Sequence, residues 1–283
     1  MVLKNIKSLI SIHFAVLLFG VAGLFGKILD LHPLLIVLGR VFFASVTLFL
    51  LSLLLKINLK ISNRKDIFLF ILAGFILVFH WYSFFQSIQL SNVAVGLLTY
   101  ATFPVFVAFL GPVFLKDKFK LHEMVLAVIS FGGVLLIFPD FSFKNQYTFG
   151  ILWGILSGLS FAILALFNRK LVQKYPGLTV AFYEDFFATI ALLPVLFFIH
   201  PLLTVDHILK LLVLGVIFTA VAHTVFISGL KKISAQKASI IANMEPIYGI
   251  FFAIFLLHEI PEIREIAGGI IIMFAAFYAT VRT

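Results

Sequence analysis

Apolar runs of about 18 to 23 residues, the length of helix that crosses roughly 30 Å of hydrocarbon, recur along the chain between short polar breaks. They predict spans over Ile10–Leu29, Leu34–Leu55, Ile67–Leu90, Val93–Leu115, Leu121–Phe138, Phe149–Leu171, Leu178–Ile199, Ile208–Leu230, Ala238–Leu257 and Arg264–Val281. The connections are short and leave no extramembrane domain to host a soluble active site, so function must lie between the helices. The predicted fold class is an all-α polytopic membrane protein of ten transmembrane helices.

Composition agrees with the pattern. With 63% apolar and 12% charged residues, a chain of 283 has too few polar side chains to coat a water-soluble globule. The formal charge of +9 comes from basic clusters between apolar runs, with no basic face and no nucleic-acid module, so nucleic acid is not an expected partner. With the N-terminus inside, sixteen of the 21 Lys and Arg residues fall at the two ends and in the connections after even-numbered spans. Only Lys27, Lys144, Lys210 and Arg264 fall opposite, and Arg40 lies within the second span. Because basic residues favour cytoplasmic loops, the chain is expected to be a multi-pass protein of a bacterial inner membrane with both termini cytoplasmic. The run after Met1–Lys7 is longer than a signal-peptide core and reads as a retained first helix. The absence of Cys excludes disulfides, thiolate metal sites and iron–sulfur clusters; no metal or cofactor is expected.

The two halves resemble each other. Placing Pro104 on Pro246 sets Leu97-Leu98 on Ser239-Ile240, Phe109 on Phe251, Leu115 on Leu257 and Asp117 on Glu259. Near the start of each half, Arg40-Val41-Phe42-Phe43-Ala44-Ser45 matches Glu184-Asp185-Phe186-Phe187-Ala188-Thr189. Residues 1–140 and 141–283 are therefore expected to be two five-helix repeats. An odd number of spans per half inverts the second repeat in the membrane, an arrangement suited to alternating access.

At these positions the chain resembles the EamA-like group of the drug/metabolite transporter superfamily. The resemblance rests on Phe19-Gly20, on Gln86 through Ala94 leading to Pro104, on Gly229 through Ala242 leading to Glu245-Pro246, and on Asp117 and Glu259. Many family members carry Trp where Phe19 stands. The resemblance implies ten helices in two inverted repeats, a central cavity, and export or exchange of amino acids, related metabolites or drugs.

Several polar residues fall inside the spans. Glu245, flanked by Asn243 and Pro246, sits mid-span, where an ionised carboxylate costs on the order of 2.5 to 3.5 kcal/mol unless paired, hydrated or protonated. It reads either as a site for a cationic group or proton, or as a carboxyl bonded within the bundle at a kink. His80-Trp81-Tyr82 aligns with Ala222-His223-Thr224. The two histidines read as cavity groups able to bind a carboxylate or relay protons, or as neutral rings bonded to carbonyls. Arg40, Glu184 and Asp185 read as separate gate or vestibule charges, or as a snorkelling Arg and a hydrated entrance. Thr99, Tyr100 and Tyr248 offer hydroxyls beside the kink-forming Pro104 and Pro246. Gly132-Gly133 and Gly268-Gly269 read as points of close helix approach, within one chain or across a homodimer. The 36 Phe residues read mainly as lipid-facing bulk.

The expected function is a secondary transporter of a small-molecule substrate, in contact with membrane lipid, as a monomer or homodimer, driven by an ion gradient such as protons, by exchange or by the substrate's own gradient. Drug or cation efflux and nucleotide or sugar exchange are the alternatives within that class. A lipid-modifying enzyme lacks any Asp-rich pair, His-Glu-x-x-His or Gly-x-Ser-x-Gly motif here, and a selective channel lacks a filter or ring of charge.

Overall fold

The computed structural model describes residues 2–115, 121–138, 142, 144–200 and 202–281. Asp117, Lys116, Lys118, Lys120 and Arg282, used above for the repeat and the charge bias, lie outside the described residues. Every predicted span is occupied by helix. The order is α1 (Val2–Ile28), α2 (Pro33–Leu54), α3 (Arg64–Leu90), α4 (Val93–Tyr100), α5 (Phe103–Leu115), α6 (Leu121–Ile137) and α7 (Gln146–Leu171). Then follow α8 (Gly177–Leu192), a 3₁₀ turn (Leu193–Phe197), α9 (Val205–Gly215), a π-helical turn (Val216–Val221), α10 (Ala222–Leu230), α11 (Ala235–Ala242), α12 (Glu245–Leu257) and α13 (Ile263–Val281). Among the described residues, seven helical stretches are long and apolar enough to cross a membrane, counting α4 with α5 and α9 with α10 as one each. Val128–Ile137 and Glu245–Leu257 are apolar but shorter.

Local chemistry explains where helices start and break. The side chains of His32, Asn63, Asn92 and Asn145 each accept a bond from a first-turn backbone N–H of α2, α3, α4 and α7, satisfying donors that a helix leaves open. Pro104 and Pro246 have no N–H, and their rings crowd the carbonyl four residues back. Both helices part just upstream, at Ala101-Thr102 between α4 and α5 and at Asn243-Met244 between α11 and α12.

Packing sets the layers around the site. α3 packs on α7 and α8, α2 on α8 and α9, α1 on α10 and α12, and α7 on α4 and α5, while α6 and α13 pair at one side. Two glycines let backbones meet. A Cβ at Gly74 would stand 2.8 Å from Phe187 Cβ and 3.0 Å from Ala188 N; one at Gly215 would stand 2.5 Å from Phe43 Cβ and 2.9 Å from Arg40 O. In the α6–α13 seam, a Cβ at Gly133 would meet Gly268 O at 2.8 Å, and one at Gly268 would meet Gly133 O at 2.5 Å. This small-residue interface is thus used within the chain.

Polar bonds tie the two halves at either end of the bundle. At one end, buried Asp66 at the start of α3 takes Lys174 Nζ at 2.9 Å and the Tyr175 hydroxyl at 2.8 Å, both from the α7–α8 connection. At the other, Glu259 accepts from the Val93 backbone N–H that opens α4, and Glu265 accepts from Asn92 and Tyr147. The outer surface carries exposed Phe42, Phe49, Phe68, Phe75, Phe251 and Phe274, the lipid-facing bulk expected for Phe. Another set of Phe residues turns inward.

Candidate substrate cavity

Residues from five helices converge midway along the bundle. Arg40 of α2, His80 and Trp81 of α3, Tyr100 of α4, His223 of α10 and Glu245 of α12 line one cavity together with Phe19, Ala22, Leu77, Phe84 and Phe161. Its free volume is about 30 Å³. That is room for about two waters. Glu245 comes to this depth because the α11–α12 break resumes helix at Glu245 itself, and Tyr100 closes α4 at the corresponding break. Tyr100 and Glu245 face this one cavity, and Glu245 Oε2 is buried with no protein hydrogen-bond partner.

Arg40 is the cation of the site. Its side chain, 2% exposed, lays the guanidinium over the Trp81 ring with Cζ 3.5 Å from the centroid. A desolvated cation–π contact of this kind contributes about 2 kcal/mol. Arg40 Nε donates to Thr219 Oγ1 at 3.1 Å, and Thr219 Oγ1 donates to Leu214 O at 2.8 Å. Thr219 belongs to the π-helical turn, whose wider winding brings this hydroxyl inward. No carboxylate among the described residues comes within ion-pair distance of the guanidinium. Arg40, read from the sequence as a gate or vestibule charge, shares this cavity with His80 and Glu245. Counting turns along a helix neglects both helix tilt and the reach of the long Arg stem, which together bring the head group to the centre.

The two histidines sit on different walls. His80 Nδ1 lies 3.0 Å from both the carbonyl and the hydroxyl of Ser157 on α7, and its ring packs 5.0 Å from Phe161 and 5.6 Å from Tyr100. His223 lies 5.7 Å from Trp81, ring to ring, and its Nε2 is 3.3 Å from Glu184 Oε2. Glu184 also accepts from Asn168 Nδ2 at 3.4 Å. Glu184 and Asp185 are both fully buried, so a hydrated entrance does not describe their place in this conformation. Gly74 explains how: it lets the α8 backbone press onto α3 and carries both acids inward.

Other expected residues lie elsewhere. Tyr82 packs against Trp153 on the face away from the cavity. Thr99 spends its hydroxyl on Val95 O at 2.6 Å within α4. Tyr248 backs onto Gly20 of α1. Asn243 is buried at the helix break with both amide atoms lacking protein partners. The sequence reading missed Phe19, Phe84 and Phe161 as cavity walls, because a cavity-facing Phe has the same local pattern as a lipid-facing one. It also missed Thr219 and Asn168; an Asn in the sixth apolar run was a visible signal, whereas Thr219 had none.

A central aromatic cavity holding one cation and one carboxyl, reached by paired broken helices, is the setting in which similarity to known proteins becomes informative. The profile of the EamA-like transporter family matches residues 6–138 and again residues 148–281. The chain belongs to the EamA-like transporter family. It is a multi-pass membrane protein and a small-molecule transporter, not an enzyme. Among relatives, it is 26% identical over 225 residues to the uncharacterized transporter YxxF of Bacillus subtilis (strain 168), covering 77% of this chain and 71% of that one. It is 21% identical over 250 residues to an S-adenosylmethionine uptake transporter of Rickettsia bellii (strain RML369-C), covering 88% and 84%. A solved structure described as "Crystal structure of protein" superposes with a TM-score of 0.72 over 98% of this chain and 96% of its own, at 15% identity. That likeness concerns the fold alone.

Proposed function

We propose that this family member crosses a bacterial inner membrane ten times, as two inverted five-helix repeats with both ends cytoplasmic, and moves amino acids or related zwitterionic metabolites by alternating access. The observation that carries the substrate class is the placement of Arg40 and Glu245 in one aromatic-walled cavity. A zwitterion presents a carboxylate to the guanidinium and an ammonium to the Glu245 carboxyl, and the rings of Phe19, Trp81, Phe84, Tyr100 and Phe161 exclude water around its side chain. Binding needs the helices to part, since the cavity has room for only about two waters.

Two observations support the repeats. The family profile matches each half separately. The contacts of Gly74 with Phe187 and Ala188 are mirrored by those of Gly215 with Phe43 and Ala44, which are the residues the sequence alignment equates. Export or exchange is the direction favoured by the family resemblance. Uptake of an amino-acid derivative carrying a second cation is the other reading, favoured by the S-adenosylmethionine uptake relatives. His80 and His223 then serve as walls that orient the substrate.

The test is counterflow in proteoliposomes with labelled amino acids, S-adenosylmethionine, nucleosides, sugars and drug-like cations. Saturable counterflow of a zwitterion is expected. Glu245→Gln should lower it by about tenfold or more while thermal stability is kept, because a charged hydrogen bond is worth about 1.5 to 3 kcal/mol. Unchanged counterflow in that variant would reject the assignment of Glu245.

A further inference from the structure

Beyond the cavity wall formed by Trp81 and His223 lies a second polar cluster, whose two acids the substrate reading does not use. Glu184 and Asp185 of α8 are both 0% exposed. Asp185 has no hydrogen-bond partner on either carboxyl oxygen, Glu184 has none on Oε1, and Asn168 has none on Oδ1. His223, bonded to Glu184 through Nε2, has none on Nδ1. This is an unusual concentration of unsatisfied groups, since buried polar atoms are normally paired and two adjacent bare carboxylates cannot both be held out of water.

The surroundings offer little compensation. The titratable and charged groups acting on the pair are His223 from α10, bonded to Glu184, and Arg40 from α2, whose charge acts on Asp185, with His80 from α3 and Glu245 from α12 in the adjoining cavity. α7 contributes only the neutral amide of Asn168. Asp185 and Glu245 therefore share one guanidinium, and that guanidinium is committed to Trp81 and Thr219, with no carboxylate among the described residues at ion-pair distance. Something else must neutralise the acids. Among the described residues no three His, Asp or Glu side chains converge as metal ligands, which favours a proton over a metal cation.

We infer that Glu184 and Asp185 form a proton-binding site beside the substrate cavity, joined to it through His223, which lines the cavity and bonds Glu184, and through Arg40. When Asp185 releases its proton, the carboxylate draws the guanidinium off Trp81. When a substrate carboxylate takes the guanidinium, Asp185 recovers the proton. The position of Arg40 thus couples the two sites, and proton and anionic group load together. Use of the site in transport rests on the transporter reading; the site itself does not.

The experiment needs no transported compound. Infrared difference spectra of the purified full-length protein in nanodiscs, stepped through pH in H₂O and D₂O, report protonated carboxyl groups directly. One carboxyl band that titrates is expected, lost in Asp185→Asn, changed in Glu184→Gln and retained in Glu245→Gln. In parallel, Trp153→Phe leaves Trp81 as the only one of the chain's two tryptophans, and its emission should change with the same midpoint because the guanidinium lies on its ring. The inference is overturned if the band survives both Asp185→Asn and Glu184→Gln, if it responds to sodium at fixed pH and not to pH, or if Trp81 emission ignores the titration. Should Asp185→Asn fail to fold, Glu184→Gln and the Trp81 emission decide the matter. Failure of counterflow with an intact titration would count against the transport reading alone.

Discussion

The matched contacts of Gly74 and Gly215 allow a sharp test of how the bundle is held. Ordinary contact begins at 3.4 Å, whereas a methyl at Gly215 would lie 2.5 Å from Phe43 Cβ and 2.9 Å from Arg40 O; one at Gly74 would lie 2.8 Å from Phe187 Cβ and 3.0 Å from Ala188 N. Backbone atoms and Cβ cannot rotate away, so α2 must part from α9, or α3 from α8, by several tenths of an ångström. Overpacking of this kind costs about 1 to 3 kcal/mol. Exchanging Gly for Ala in a helix returns up to about 1 kcal/mol of intrinsic propensity. Each variant should therefore lose up to about 2 kcal/mol relative to the unaltered protein, and about 1 to 3 kcal/mol relative to a Gly→Ala change that gains propensity without a clash. Gly132→Ala is the control: nothing lies within 4 Å of its added methyl, so only the propensity gain applies. At about 2 to 4 °C per kcal/mol, Gly74→Ala and Gly215→Ala should melt about 2 to 12 °C below Gly132→Ala. The assay is thermal unfolding of the purified protein in one detergent, followed by intrinsic fluorescence. Equal melting of all three variants would refute the claim that these two glycines set the helix spacing.

Two further outcomes are expected. Thr219→Val removes the bond that orients Arg40 Nε while keeping side-chain volume; half-saturation of zwitterion counterflow should weaken about tenfold, as expected for one hydrogen bond to a charged group, and an unchanged value would show that Trp81 alone holds the guanidinium. Asp66→Asn should lower stability by about 1 to 3 kcal/mol, because the Tyr175 hydroxyl and Lys174 lose a buried acceptor, whereas Lys174→Ala should cost less than about 1 kcal/mol since its ammonium is half exposed. Melting curves of the two variants compare them directly, and equal losses would contradict the burial argument.

The helices were legible because lipid imposes one requirement on every crossing segment, a long unbroken apolar run. The second run, read as Leu34–Leu55, is helix over Pro33–Leu54. Pro104 and Pro246 announced both breaks, since a missing donor acts locally. The site was legible where a polar residue interrupted an apolar run, as for His80, His223 and Glu245. It was obscure where the deciding fact was three-dimensional. Arg40 looked peripheral by its place along α2, and only the packing of α2 against α8 and α9 brings its head group over Trp81. Val216–Val221 reads as ordinary apolar helix, so neither its π winding nor the inward turn of Thr219 could be seen. Phe161 and Phe75 are chemically alike, and only the fold says which faces lipid.

From Gly74 to Pro104 is a step of 30 residues, from Gly215 to Pro246 one of 31, and the π turn lies within the longer stretch. The surplus residue falls between a helix contact and the centre of the second half, and it supplies the anchor for the only cavity guanidinium among the described residues. Under the inverted-repeat arrangement proposed above, this inequality at the shared middle gives the two tilts different energies even when nothing is bound, so one resting face is preferred and cargo must work against that preference on one half of each cycle.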